Sequence, residues 1–178
     1  MPVIEDHESI LKQCLRITNI ARILDIPIIG TEQSPQSLGN NAEALKALCQ
    51  MTVIKDHFDA CIDGLIEALP KDRPQLILTG CETHICLMQT ALHLLAAHYD
   101  VSILVDATGS RATLNKDYGL QNLRAAGAKL LTVEMVAYEW LKSSKHPKFK
   151  EVLAIIKLVA LKLWPETDFL SSFLVGKR

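Results

Sequence analysis

Residues 76–86 form a short aliphatic run that ends in a glycine and passes into a polar turn. They read Leu76-Ile77-Leu78-Thr79-Gly80-Cys81-Glu82-Thr83-His84-Ile85-Cys86. Comparable runs end at polar or glycine positions at 27–31, 51–55, 101–106 and 129–133. They lack strict polar alternation, which is typical of strands covered on both faces. Helical spacing fills the stretches between them. This alternation predicts an α/β fold, a three-layer Rossmann-like α/β/α sandwich with a mostly parallel sheet.

Composition narrows the class of protein. The chain has 178 residues, of which 49% are hydrophobic and 22% charged, and its formal net charge is −1. This favours one globular domain and disfavours a nucleic-acid partner, because no basic surface is implied. The most apolar region, 152–164, is interrupted by Lys157 and Lys162 and is too short to span a bilayer. We therefore expect no membrane partner. With no leader-like start and no disulfide framework, we also expect a cytoplasmic location.

Chemistry-bearing side chains occur where the predicted strands end. In an open parallel sheet, ligands bind beyond the carboxyl ends of the strands. Cys86 falls at the first turn of the helix that comes after residues 76–80. There the helix dipole and a nearby Lys55 ammonium would favour the thiolate, and backbone N–H groups of the turn would face an oxyanion. The pattern indicates a nucleophilic cysteine.

Each of these side chains also has a structural interpretation. A free cysteine often merely packs, and Cys81 competes with Cys86 for the role of nucleophile. His84 is either a general base or a hydrogen-bonded structural residue. Lys55 is either a site residue or a solvated charge, and Asp106 is either catalytic or a turn cap.

The sequence predicts neither a metal site nor a redox pair. His93 and His98 are five residues apart, so they do not share a helix face. Cys81 and Cys86 lack the spacing of a resolving cysteine pair.

The run 76–92 closely resembles the signature of the isochorismatase-like cysteine hydrolases. The resemblance covers essentially residues 1–157 and continues through matching segments at 31–35, 38–39, 55–58, 105–111 and 145–150. It implies a six-stranded parallel sheet and hydrolysis of amides or of a vinyl ether. It also implies a homo-oligomer, from dimer to octamer. We expect a hydrolase domain over 1–157 and an apolar C-terminal extension over 158–178.

The resemblance implies a role for each matching position. Cys86 would be the nucleophile and Lys55 the lysine that helps to hold it as thiolate. A non-proline cis peptide would fall at Cys81–Glu82 and direct the Glu82 N–H toward an oxyanion. The substrate pocket is expected to include Thr31, Glu32, Gln33, Phe58 and His84.

The segment Thr31-Glu32-Gln33-Ser34-Pro35 distinguishes the chain from nicotinamidases within this family. Nicotinamidases carry a histidine-rich metal site in this region. The resemblance therefore implies no metal and no cofactor here, and it points to a poorly characterised branch without a metal.

One departure concerns the triad, which in this family is Asp–Lys–Cys. Residues 1–4 resemble the segment immediately after the family's first strand, which carries the aspartate at its end. We therefore expect the given sequence to lack both the first strand and the triad aspartate. The first strand is central in a sheet of order 3-2-1-4-5-6. One hypothesis is that residues 168–175 replace it; the other is that this apolar tail packs on the surface or at an oligomer interface.

Two functional hypotheses remain from the sequence. The first is a cysteine hydrolase that acts on a small molecule, at an amide or a related C–N or C–O bond. The second is a catalytically impaired homologue that serves as a binding or oligomer-scaffold protein.

Overall fold

The fold is a mixed α/β structure with two groups of parallel strands. The computed structural model describes residues 3–160. Its strands are β1 (Ile29–Gln33), β2 (Met51–Lys55), β3 (Gln75–Cys81), β4 (Asp100–Gly109) and β5 (Lys129–Leu131). Its helices are α1 (His7–Ile23), α2 (Pro35–Leu38), α3 (Glu43–Lys46), α4 (Leu65–Ala68), α5 (Met88–Ala96), α6 (Thr113–Ala125), α7 (Val133–Leu141) and α8 (Phe149–Ala160). A π-helical turn, Thr83–Leu87, leads directly into α5. The predicted fold class is confirmed.

The strands pair in parallel within two sheets. β1 pairs with β2, and Gln33 lies opposite Lys55 at the ends of this pair. β3, β4 and β5 form the second sheet in that order. Within residues 3–160, no strand pairs with the remaining edge of β1 or of β3. The break falls where the order 3-2-1-4-5-6 places a first strand, and the proposed replacement at 168–175 lies outside the described residues.

Helices cover both faces of the second sheet, as a three-layer fold requires. β4 is its middle strand, and its alternating side chains point into two different cores. Val101 and Ile103 pack with α5 and α6, whereas Leu104 and Ala107 pack with α1 and α7. Apolar burial on both sides explains why the strand sequence shows no polar alternation.

The observed elements differ from the predicted ones mainly at their ends. β2 has the predicted bounds, 51–55. β4 continues three residues past Asp106 to Gly109, because its last residues still pair with Gly80 and Cys81 of β3. Val133, predicted to end the last strand, instead begins α7. No helix in the described range 3–160 is both long enough and apolar enough to cross a bilayer.

Candidate active site

Gln33 joins the two side chains that were predicted to carry catalysis. Its Oε1 atom accepts a hydrogen bond from Lys55 Nζ and lies 3.8 Å from Cys86 Sγ. Gln33 and Lys55 end paired strands, whereas Cys86 lies in the π-helical turn after β3. The carboxyl ends of β1, β2 and β3 therefore converge at this point, and the placement of Cys86 in the first helical turn is confirmed.

Lys55 is buried, with 4% of its surface exposed. Besides Gln33, its Nζ donates to the carbonyl oxygens of His57 and Phe58, each at 3.1 Å. No carboxylate in the described range 3–160 lies within salt-bridge distance of this ammonium. The interpretation of Lys55 as a solvated strand-end charge is therefore wrong: the lysine is a buried cation held by neutral acceptors.

The turn between β3 and α5 contains a cis peptide bond at Cys81–Glu82, as the resemblance implies. The Glu82 carboxylate pairs with Arg111 Nε at 2.6 Å. His84 Nδ1 lies 3.0 Å from Ser110 Oγ and 3.6 Å from Glu82 Oε2. His84 thus has hydrogen-bonding partners around the turn, which supports its structural interpretation over that of a general base.

The cysteines other than Cys86 lie in settings that disfavour the thiolate. Burial raises the pKa of Cys81 to about 11, with a smaller contribution from Cys14. Burial also raises the pKa of Cys61 to about 12, and nearby Asp59 adds to the effect. The pKa values of Cys14 and Cys49 are raised for the same main reason. Because the thiolate is the reacting form, Cys81 is a poor competitor for the role of nucleophile.

The other residues assigned to the pocket lie in different settings. Glu32 is buried and forms an ion pair with Lys46 at 3.1 Å, and it also accepts from the Asn41 N–H at 3.0 Å. The Thr31 carbonyl accepts from the Asn41 side chain at 2.9 Å. Phe58 is 53% exposed. The structure brings Gln33, Lys55 and Cys86 together, whereas Glu32 and Thr31 hold the loop after β1.

Asp106 caps a helix. Its carboxylate accepts from the Val133 N–H at 3.0 and 3.3 Å, at the start of α7. Asp106 also lines a cavity of about 300 Å³ between α1, the end of β4 and α6. Apart from Asp106, none of the residues predicted for catalysis or for the pocket lines that cavity. The structure supports the capping role, although the helix that Asp106 caps is distant in sequence.

Two residues that hold Gln33 were not predicted as part of the site. Gln33 Nε2 donates to the Asp56 carbonyl at 2.8 Å and lies 3.3 Å from Ser34 Oγ. Ser34 Oγ in turn donates to the Asp56 carboxylate at 3.0 Å. The available signal was adjacency in the sequence, of Ser34 to Gln33 and of Asp56 to Lys55, and the pairing depends on the register of β1 against β2.

The chain matches one protein family over most of its length. The family model of the isochorismatase domain matches residues 2–135. Isochorismatase domain-containing protein 1 of Danio rerio is 35% identical over 174 residues, which cover 96% of this chain but 60% of that protein. The chain thus spans less than two thirds of that relative's length.

Two solved structures also superpose on the chain. MAR1 ribonuclease from Caenorhabditis elegans superposes with a TM-score of 0.83 at 33% identity, covering 99% of this chain and 90% of that one. The YcaC gene product of Escherichia coli, an octameric hydrolase of unknown specificity, superposes with a TM-score of 0.73 at 20% identity, covering 88% and 85%. At that identity YcaC supports the fold alone. By its match to the family model and to its relatives, the chain belongs to the isochorismatase family.

Proposed function

We propose that this chain is a cysteine hydrolase that acts on a small amide or a related C–N or C–O bond, with Cys86 as nucleophile. The observation that carries the proposal is the Gln33 Oε1 atom, which contacts both the Lys55 ammonium and the Cys86 sulfur. A cation and a thiol that share one acceptor are close enough for the cation to stabilise the thiolate.

The burial of Lys55 strengthens this argument. A buried cation is costly unless it is paired, and hydrogen bonds to neutral oxygens compensate only partly for lost hydration. Within residues 3–160 Lys55 has no carboxylate partner, so an anion formed beside it would gain a favourable interaction. The Cys86 thiolate is such an anion, and its position in the first helical turn adds the favourable end of the helix dipole.

The proposed reaction has two steps. The Cys86 sulfur attacks the substrate carbonyl carbon, the C–N bond breaks, and the proton from the thiol ends on the departing nitrogen. Water then attacks the thioester carbon, which releases the carboxylic acid and restores the thiol. We propose that the N–H groups of Glu82 and Cys86 hold the oxyanion in both steps, as in related enzymes.

A non-catalytic binding or scaffold protein is the second candidate. It is favoured by the same lack of a carboxylate beside Lys55 within residues 3–160, because the family's triad uses an aspartate for proton transfer. For either function we also propose a homo-oligomer, by analogy with the octameric YcaC, which shares the fold. All five cysteines are free, which favours a reducing compartment and hence the cytoplasm.

Ribonuclease activity is a further candidate because the similar Caenorhabditis elegans structure is of a protein named as a ribonuclease. The net charge of −1 opposes it, since phosphate-backbone binding relies on clustered Lys and Arg. We therefore propose a small-molecule substrate rather than a nucleic acid.

Alkylation with iodoacetamide, followed by peptide mapping, tests the nucleophile. We expect Cys86 to be labelled fastest, and equal labelling of all five cysteines would contradict an activated thiol.

A screen of small amides, with single-stranded RNA tested alongside them, tests the substrate class. Turnover of an amide by the wild type and by Cys81→Ser, but not by Cys86→Ala, would support the proposal. Cleavage of RNA that persists in Cys86→Ala would overturn it.

A further inference from the structure

Three different metal-binding side chains converge outside the candidate active site. They are Asp59, Cys61 and His93, and their donor atoms all lie within 4.8 Å of one another. Asp59 and Cys61 lie in the loop between β2 and α4, whereas His93 lies on α5. The sequence separates these residues by up to 34 positions, so only the fold brings them together.

The loop that carries two of these side chains is fixed against α5. The Ala60 N–H donates to Thr90 Oγ1 at 3.0 Å, and Ala60 is 1% exposed. Cys61 Sγ lies 3.9 Å from the Thr90 carbonyl oxygen. Thr90 and His93 are three residues apart and so occupy the same face of α5. The packing of the backbone therefore places the loop that carries Asp59 and Cys61 beside the face of α5 that carries His93.

A second set of contacts fixes the start of the same loop. The carboxylate of Asp63 accepts from the N–H groups of Asp56 and His57, each at 2.9 Å, and pairs with the His57 ring. These bonds, chiefly the one to the His57 side chain, lower the pKa of Asp63. The loop is thus tied at both ends, which reduces the entropy lost when a ligand binds.

The carboxylate of Asp59 is already oriented toward the cluster. Its Oδ1 accepts from the Cys61 N–H at 2.9 Å, and its Oδ2 lies 2.7 Å from His93 Nδ1. Ligand atoms around a tetrahedral zinc ion lie about 3.3–3.8 Å apart, because metal–ligand bonds are about 2.0–2.3 Å long. A cation between the Asp59 carboxylate and the His93 ring requires only a small outward movement of the half-exposed His93 ring.

We propose that Asp59, Cys61 and His93 bind a thiophilic divalent cation, with Zn²⁺ as the preferred ion and water as the fourth ligand. Thiolate, imidazole and carboxylate are all zinc ligands, and three protein ligands with one open position is a common zinc arrangement. The thiolate and the carboxylate together neutralise the charge of the ion. Binding displaces the proton of the Cys61 thiol, and His93 binds through Nδ1 as a neutral imidazole with its ring proton on Nε2, so binding releases the thiol proton.

The site would be coupled to the candidate active site. The carbonyl oxygens of His57 and Phe58 accept from Lys55 Nζ, and Phe58 directly precedes Asp59. A cation that holds Asp59 and Cys61 would therefore restrain the backbone that positions Lys55. This coupling rests on the proposed function, whereas the existence of the site does not.

Titration with Co²⁺, a spectroscopic substitute for Zn²⁺, tests the site in the full chain under reducing conditions. We expect a thiolate-to-cobalt charge-transfer band that Zn²⁺ abolishes by displacement. Cys61→Ser should lose the band, and His93→Asn should weaken Co²⁺ binding about tenfold or more. The matched controls Cys49→Ser and His98→Asn should retain the band.

Two spectroscopic results would overturn the proposal. One is the absence of a charge-transfer band in the wild type, and the other is a band that persists in Cys61→Ser but disappears in Cys86→Ser. The exposed position of His93 makes His93→Asn informative even if the buried Cys61→Ser variant fails to fold. Unchanged Co²⁺ affinity of a folded His93→Asn variant would also contradict the site. None of these readouts depends on hydrolase activity, so the site and the proposed function fail independently.

Discussion

Gln33 Oε1 and Cys86 Sγ lie 3.8 Å apart, although Gln33 ends a strand of one sheet and Cys86 comes after a strand of the other. The same oxygen accepts from Lys55 Nζ. One carboxamide therefore connects the end of β1, the end of β2 and the turn after β3. This contact lies across the break between the two sheets, so the candidate site is formed where their carboxyl ends meet.

Removing the carboxamide should slow the reaction of Cys86 with iodoacetamide. In Gln33→Ala, Lys55 loses an acceptor that holds it beside the sulfur, and we expect the alkylation rate to fall about tenfold, the equivalent of one charge-assisted hydrogen bond. Gln33→Glu should slow alkylation further, because a carboxylate pairs with Lys55 and repels the thiolate. Gln36→Ala, at an exposed position of α2, is the matched control and should leave the rate unchanged. An unchanged rate in Gln33→Ala would refute the role of Gln33.

Replacing the buried ammonium should affect both stability and reactivity. Lys55→Met leaves the carbonyls of His57 and Phe58 without their donor, and we expect these unpaired acceptors to outweigh the relieved desolvation of the ammonium. The net loss should be about 1–3 kcal/mol in the free energy of unfolding, measured in urea. Cys86 alkylation should slow as well. Lys129→Met removes a lysine from a solvent-exposed ion pair with Asp100 and should cost at most about 1 kcal/mol. Equal stability of the two variants would contradict a buried, hydrogen-bonded Lys55.

Local patterns were sufficient to predict the main elements. Short-range signals, namely aliphatic runs and glycine-bearing turns, predicted three features. These are the bounds of β2, the parallel pairing and the position of Cys86 in a first helical turn. The extension of β4 to Gly109 does not, because it depends on continued pairing with β3. Propensity alone does not identify a strand that continues through polar residues.

Contacts between distant segments could not be predicted from the sequence. The pairing of Gln33 with Lys55 depends on the register of β1 against β2, which no local pattern fixes. The capping of α7 by Asp106 spans 27 positions. The approach of His93 to Cys61 requires the loop after β2 to dock on α5, which no local pattern around Cys61 predicts.

Removal of the Asp106 carboxylate from the start of α7 should destabilise the protein without changing the thiol. Asp106→Ala leaves the Val133 N–H without its acceptor and removes a negative charge from a helix N-terminus. We expect a loss of about 1–2 kcal/mol in the free energy of unfolding. The alkylation rate of Cys86 should be measured at urea concentrations below the unfolding transition. It should stay within about twofold of the wild-type rate, because a tenfold change would require about 1.4 kcal/mol of altered interaction with the thiol. A large fall in that rate without loss of stability would instead support a catalytic Asp106.

The buried thiols should make stability fall at alkaline pH. The pKa of Cys61 is raised to about 12 and that of Cys81 to about 11, chiefly by burial, from an ordinary thiol value of 9.0. From pH 9.0 up to these raised pKa values, the thiols of the unfolded chain lose protons that the thiols of the folded chain retain. The free energy of unfolding therefore decreases as pH rises above about 9. Urea unfolding at several pH values should show this slope. Cys61→Ser should reduce it, and an unchanged slope in that variant would contradict the burial of an ionisable thiol.

Gly109 should not tolerate a side chain, because α1 packs directly over the end of β4. A Cβ at this position would overlap Ile10 Cδ1 and lie 3.2 Å from Ile4 Cγ2. Ile10 is 4% exposed and has little room to move, so we expect Gly109→Ala to cost about 1–3 kcal/mol in urea unfolding, as overpacked cores do. Gly109 pairs with Cys81, so a displaced strand end should also alter the turn that carries Cys86 and slow its alkylation. The double variant Gly109→Ala with Ile10→Val removes the atom nearest the new methyl group and should regain part of the lost stability. If the two substitutions instead prove additive in their cost, the close packing of α1 on β4 is not the cause.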